Sequence, residues 1–213
     1  MLIRDGQLFK ISFGLHTKSL AINSNILPMS IIIRRPILED IPEINELFSI
    51  TVTNNFKEEG IFNTQKEDAI FEAEALMKNL KLSFDSNNKT EHYLIACNPN
   101  KILGTIAYGT ANARIKEHLN IDYTNTPEIK SVYILPDYQN QGIGSLLFEE
   151  MLKLLRRENI HDFCLDSGYK KAKQYWTKKL GAPICILEKY WSEKSDHMIW
   201  YAQLEKKNSS LLK

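Results

Sequence analysis

The sequence predicts an α/β fold on one core, in the element order βααβββαβαββ. Three observations carry that expectation. Apolar residues alternate along ILGTIAYG and EIKSVYIL but recur at three- and four-residue spacing from Glu67 to Leu82 and from Ile143 to Leu155, the periods of half-buried strands and amphipathic helices. The tetrapeptide NPNK separates two strand-like runs as a hairpin turn does. The run YILPDYQNQGIGSLLFEEM, Tyr133 to Met151, leads a strand through one Pro and two glycines directly into a helix. At 213 residues and 43% apolar content the chain can bury one sizeable core.

Residues 1–28 stand apart, with short apolar pieces such as LFKISF and NILPM broken by Gly6, Gly14 and Ser/Asn clusters. No sustained period marks an element there, so an extension outside the fold is expected, disordered or from an upstream start. The domain is expected to run from Met29 to Leu204. It opens with a strand over Ile31 to Arg34 and a helix from about Asp40. A second helix sets Ile70, Ala73, Met77 and Leu80 on one side with acids and lysines between them. HYLIAC (His92–Cys97), the NPNK turn and ILGTIAYG (Ile102–Gly109) form an antiparallel hairpin. A polar insertion, Asn112 to Pro127, precedes the strand EIKSVYIL. In the helix after the glycines, Ile143, Leu146, Leu147, Met151, Leu154 and Leu155 form one apolar face. FCLDS is a short strand, Ala172 to Leu180 a helix stopped by Gly181, and ICILEKY and HMIWYAQL are closing strands rich in β-branched and aromatic residues. The Lys-rich tail, 205–213, is expected to fray.

Twenty-seven basic against 26 acidic residues leave a charge of +1, so no chain-wide field favours nucleic acid or an anionic membrane. No window approaches the roughly 20 apolar residues of a spanning helix, and no apolar core precedes a signal-type cleavage site. Cys97, Cys164 and Cys185 are odd in number and far apart, which points to reduced thiols in a cytoplasmic protein. The five histidines show no metal-ligand spacing, and no metal is expected. His161 and Cys164 fall on opposite sides of a strand, which argues against a nucleophile and base pair.

A glycine-containing loop before a helix raises a phosphate site, because the first N–H groups of a helix lack intrahelical partners and carry partial positive charge. A dinucleotide fingerprint needs a third glycine that Gly142-Ile143-Gly144-Ser145-Leu146-Leu147 lacks, and a Walker loop needs a Lys after its glycines. The bland alternative is a crowded turn that only glycine fits. The run Ile134 to Gly144, with Gln139, Gly142 and Gly144 in the spacing Q/R-x-x-G-x-G, resembles motif A of the GNAT superfamily of acyl-CoA-dependent N-acyltransferases. The element order is also that family's, and the resemblance spans roughly Ile31 to Leu204. It implies a GNAT-like central mixed sheet, flanked by helices and splayed near Val132 to Leu135. It implies acetyl-CoA as cosubstrate, with its pyrophosphate at Gln139, Asn140, Gln141, Gly142, Ile143, Gly144 and Ser145. The pantetheine arm would follow the backbone of Ile134 and Leu135, and the Val132 N–H would polarise the acyl carbonyl.

Amine acetylation of this kind needs no metal and no acyl-enzyme. The amine attacks the thioester in a ternary complex, so a base or a water chain must take a proton from the ammonium and an acid should meet the departing thiolate. Glu128 lies eleven positions before Gln139, the spacing at which the histone acetyltransferase branch of the family places its base. Strand alternation sets Glu128, Lys130, Val132 and Ile134 on one face. The other reading of Glu128 is a solvated carboxylate at a strand start. For the acid, the family commonly has a Tyr four residues before the Gly that ends the next helix. Thr177 holds that place here, and the nearby Tyr175 is the candidate, with a merely packed aromatic as the alternative. Tyr169 stands where the family often has a pantetheine-binding Asn. Lys170/Lys171 and Lys178/Lys179 either meet the CoA 3′-phosphate or form a solvated face. The implied partner is a small-molecule or peptide amine, and neither NNFKEEGIF nor EKYWSEKSDH singles one out. A non-catalytic acyl-CoA-binding sensor of the same fold is the competing function, and a homodimer stays open.

Overall fold

The computed structural model describes residues 30–86, 91–119, 126–193 and 195–204. The expected extension 1–28 and tail 205–213 lie outside them. In chain order the elements are β1 (Ile32–Arg34), α1 (Ile41–Glu58), α2 (Lys66–Asp85), β2 (Glu91–Cys97), β3 (Ile102–Gly109), α3 (Ala113–His118), β4 (Glu128–Ile134), α4 (Ile143–Arg157), β5 (Asp162–Ser167), α5 (Lys170–Leu180), β6 (Cys185–Ser192) and β7 (Ser195–Gln203). The strands form one sheet in the order β1-β2-β3-β4-β5-β7-β6, antiparallel throughout except for β4 beside β5. The expected order stands with one addition, the short helix α3 inside the polar insertion. Asn112 starts it by accepting the Ile115 N–H at 3.0 Å, an N-cap in a segment too polar to show a period.

Helices α1 and α2 cover one face, with Ile44, Leu47, Phe48, Met77 and Leu80 packed on Tyr93, Ile95 and Ala107. On the other face, Leu147, Phe148, Met151 and Leu155 of α4 and Trp176 of α5 pack on Leu103, Ile106, Ile129 and Phe163. Further along the first face, α3 sets Ile115 on Cys164 and Ile199. Two residues expected on apolar faces lie at their edges, although Leu147, expected beside Leu146, is buried as foreseen. Ile70 and Leu146 are 52% and 39% exposed, while Ala69 and Leu147 are buried. Consecutive helical residues differ by about 100°, and packing takes whichever points at its neighbour.

β4 carries the irregularity that shapes the site. Its register with β3 jumps from Thr105–Tyr133 to Ala107–Lys130, and Ser131 has a φ of 53°, which together make a β-bulge. Thr105 Oγ1 donates to the Ser131 carbonyl at 2.8 Å, and the Tyr93 hydroxyl lies 3.2 Å from Ser131 Oγ. The extra residue inverts the alternation downstream of it. The expectation that Glu128, Lys130, Val132 and Ile134 share a face is therefore corrected: Val132 and Ile134 join Ile129 against the α4 cluster, and Glu128 and Lys130 lie on the opposite face. The expected splay is present, because β4 and β5 are in register only at Glu128 and Cys164, where the Cys164 N–H reaches the Pro127 carbonyl at 2.9 Å. Beyond that point the strands part.

Candidate active site

At the end of β4, Leu135 donates its N–H to the Leu103 carbonyl at 3.0 Å and accepts from the Tyr138 N–H at 2.9 Å. Both backbone groups thus serve the fold, and its side chain is buried in the α1–α2 core. The loop that follows closes on its own side chains: Gln139 Nε2 donates to the Ile134 carbonyl at 3.1 Å and Gln141 Nε2 to the Asp137 carbonyl at 2.8 Å. Asn140 and Gly142 take left-handed φ values of 59° and 82°, and Gly142 is the N-cap of α4 with no side chain capping the helix. The N–H groups of 142–145 find no acceptor among the described residues, which leaves the positive end of a 15-residue helix open. Crowding is not what the glycines relieve. A Cβ on Gly142 would meet nothing within 4 Å, and one on Gly144 only Ile134 Cγ1 at 3.8 Å. Gly142 supplies its φ, and Gly144 keeps space free at the helix start, where an anion can sit.

On the opposite face, at the closed end of the gap, Glu128 is 4% exposed, which excludes a solvated carboxylate. Its oxygens accept from the Asn112 N–H at 2.8 Å and from Asn112 Nδ2 at 3.1 Å, with Lys130 Nζ at 3.4 Å. Burial pushes the Glu128 carboxyl up, opposed by the charge of Lys130 and aided by that of Asp166, to about 7, the range of a general base at neutral pH. Asn112 Nδ2 also donates to Asp166 Oδ2 at 3.0 Å, so one amide bridges both acids. Asp166 accepts further from Arg114 at 2.9 Å and His197 Nε2 at 3.0 Å. Burial pushes its carboxyl up as well, but the donors outweigh burial, His197 most strongly, and hold it below its ordinary value. Two neighbouring acids are thereby driven apart, one toward neutral pH and one kept ionised. Trp191 Nε1 donates to His197 Nδ1 at 3.0 Å. An indole N–H only donates, so the imidazole proton sits on Nε2, facing Asp166. The Arg114 guanidinium lies 5.1 and 5.2 Å from the ring centroids of Tyr190 and Trp191.

Tyr175 is on the α4 side. Its hydroxyl lies 3.3 Å from Ser145 Oγ, its ring packs edge-on against Trp176, and burial pushes the hydroxyl up. The structure therefore brings Tyr175 to the helix start beside Ser145 and does not bring it to Glu128. The two stand on opposite faces, with the β4–β5 gap joining those faces. Tyr169 turns to the α1–α2 face, donating to both oxygens of Glu72 at 2.7 Å, and Tyr133 donates to the same carboxylate at 2.9 Å. Lys171 pairs with Glu58 at 2.5 Å, and Lys179 lies 5.7 Å from the Phe148 ring centroid. Cys164 is fully buried, its thiol pushed up by burial to about 12, an unreactive setting. Sequence reasoning missed Glu72, Asn112, Arg114, Asp166, Trp191 and His197. A charge inside the apolar strand FCLDS was the one available signal, whereas Asn112 and Arg114 sit where no period exists.

Fold and loop together define a known class. Residues 57–182, more than half of the chain, match the acetyltransferase (GNAT) family, and the chain belongs to that family. It is similar in structure to PaiA N-acetyltransferase of Thermoplasma acidophilum in complex with coenzyme A, at 19% identity over 82% of this chain and 100% of that one, with a TM-score of 0.56. It is also similar to ribosomal-protein-alanine N-acetyltransferase of Brucella melitensis, at 16% identity over 81% and 99% of the two chains and a TM-score of 0.59. A third is yncA of Salmonella typhimurium with acetyl-CoA, at 14% identity over 84% and 96% and a TM-score of 0.57. At such identities the likeness shows the fold. No curated protein sequence matches the chain. Among the described residues no group of three or more His, Cys, Asp or Glu could hold a metal ion, and no helix is long and apolar enough to cross a membrane.

Proposed function

We propose that the chain transfers an acetyl group from acetyl-CoA to an amine by direct attack in a ternary complex. The observation that carries this is Glu128, a buried carboxyl brought to about 7 at the closed end of a gap whose other face has an open helix start. The residues there fit coenzyme A: the N–H groups of 142–145 suit a pyrophosphate, and Gly144 leaves it room. Bound in the gap, acetyl-CoA supplies an activated carbonyl carbon. Glu128 takes one proton from the ammonium; the freed lone pair forms the C–N bond as the C–S bond breaks, and the Tyr175 hydroxyl gives its proton to the departing sulfur. The second proton that the nitrogen sheds on becoming an amide restores that hydroxyl through solvent, while Glu128 later releases its proton to water. The Val132 N–H, at the bulge, is the donor for the carbonyl oxygen, and the Ile134 backbone lines the path of the pantetheine arm. Asn112 holds Glu128 in place, and Asp166, kept ionised, favours the protonated Glu128 that follows proton transfer. The three free cysteines support a reducing, cytoplasmic setting. The test is amine-dependent release of free thiol from acetyl-CoA by the purified protein across an amine panel. Tight acetyl-CoA binding with no turnover on any amine would instead support an acyl-CoA sensor.

A further inference from the structure

Glu72 has no part in the chemistry above, yet its placement is unusual. Its carboxylate stands on the α1–α2 face, opposite α4, and is held by hydroxyls from both sides of the gap, Tyr133 on β4 and Tyr169 just beyond β5. The two rings are fixed edge-on by α1, Tyr133 against Phe48 and Tyr169 against Phe56, and the wall around them is apolar, with Val52, Phe56 and Ala73. Burial pushes the carboxyl up, and the Tyr169 and Tyr133 hydroxyls only partly offset it. No Lys, Arg or His pairs with Glu72 among the described residues. Tying β4 to the start of α5 needs only a neutral acceptor, which an amide would provide without the cost of desolvating a charge. A carboxylate that has no cation of its own and accepts only from two neutral hydroxyls is suited to an ammonium group. The surrounding charge agrees: Glu72, Glu91, Glu128 and Asp166 outnumber Lys130 and Arg114 on this face.

Glu72 and Glu128 cannot share one nitrogen. Tyr133 is five residues along β4 from Glu128, roughly 15 Å of strand, and acetyl transfer takes place between them, at the bulge. We propose that Glu72, with Tyr133 and Tyr169, binds a second, positively charged nitrogen of the acceptor, which is therefore a diamine or longer polyamine. This rests on the acetyltransfer assignment above, with Glu128 serving the reacting nitrogen.

Three acceptors of one chain length test it: 1,4-diaminobutane, butylamine and 4-aminobutyrate, which place a cation, a methyl group or an anion at the far end. The wild-type protein should favour the diamine over butylamine by about 30-fold in kcat/KM, with 4-aminobutyrate poorest. Glu72→Gln should reduce that preference to within about 3-fold, mainly through the diamine KM. Should Glu72→Gln fail to fold in a thermal melt, Tyr169→Phe reads the same ratio, which should fall by about 3- to 10-fold as one donor is lost. An equal ratio in wild type and variant, or a wild-type preference for butylamine, overturns the proposal and leaves acetyltransfer standing. If no amine turns over, the acetyltransfer assignment fails, and calorimetry with the CoA-saturated protein then decides: 1,4-diaminobutane binding lost in Glu72→Gln upholds the cation site, and no binding to wild type refutes it.

Discussion

Replacing Glu128 by Gln should change activity and stability in opposite directions. The carboxyl titrates at an ordinary 4.5 when free and at about 7 in the fold, so ionising it inside the protein costs about 3 kcal/mol above pH 8. The sign follows from the direction of the shift. A carboxyl that keeps its proton to higher pH in the folded state contributes its full stability below pH 4.5 and loses it as the pH rises through 7. The isosteric amide has no such charge to bury. The cost of ionising it already contains the attraction of Lys130 at 3.4 Å and the Asn112 N–H bond to the ionised carboxyl, so their loss is no further cost, and Lys130 keeps Glu91 at 3.1 Å. The net is about 3 kcal/mol in favour of the variant at pH 8, roughly 6–12 °C in Tm for a chain of this size, shrinking toward zero near pH 4.5. Turnover should fall by about 10²-fold or more, and the deficit should narrow at high pH, where free amine is present without a base. Calorimetric melts at several pH values and pH–rate profiles with an amine that supports turnover are the assays. Superimposable profiles, or a Tm that falls at pH 8, would refute the assignment of Glu128.

Gly144→Ala should leave the fold unharmed or raise stability by about 0.5 kcal/mol, since its Cβ meets only Ile134 Cγ1 at 3.8 Å and Ala is the better helix former. Acetyl-CoA affinity should fall by at least about 10-fold, read by calorimetry, and unchanged affinity would remove the helix start as the pyrophosphate site. Gly104→Ala should do the reverse: its Cβ would lie 2.4 Å from Ile134 Cδ1 and 2.8 Å from the Tyr133 carbonyl, a clash of about 1–3 kcal/mol visible in denaturant unfolding. Tyr175→Phe should lower kcat by about 10- to 100-fold with little change in KM, while loss of its 3.3 Å contact with Ser145 changes stability by no more than about 1 kcal/mol. Wild-type kcat in that variant would reduce Tyr175 to a packed aromatic.

The sequence by itself determined the strands, all but one of the helices, their order, and the loop from Gln139 to Gly144. Each of these depends on contacts between near neighbours: a period of two or 3.6, a turn tetrapeptide, a glycine at positive φ. It also singled out Glu128 and Tyr175. The tertiary structure decided which face each functional group occupies. A single extra residue at Ser131, held by Thr105 and Tyr93 from 26 and 38 positions away, inverts β4 and separates Val132 from Glu128, and no local period contains that information. Asn112, Glu128, Asp166, His197 and Trp191 meet from a loop and four strands, and Glu72 meets Tyr133 and Tyr169 from a helix whose period placed it only among the acids and lysines between apolar positions. Sheet register set these meetings, because it places residues far apart in the chain within hydrogen-bonding distance and buries the carboxyls that would otherwise titrate as in water.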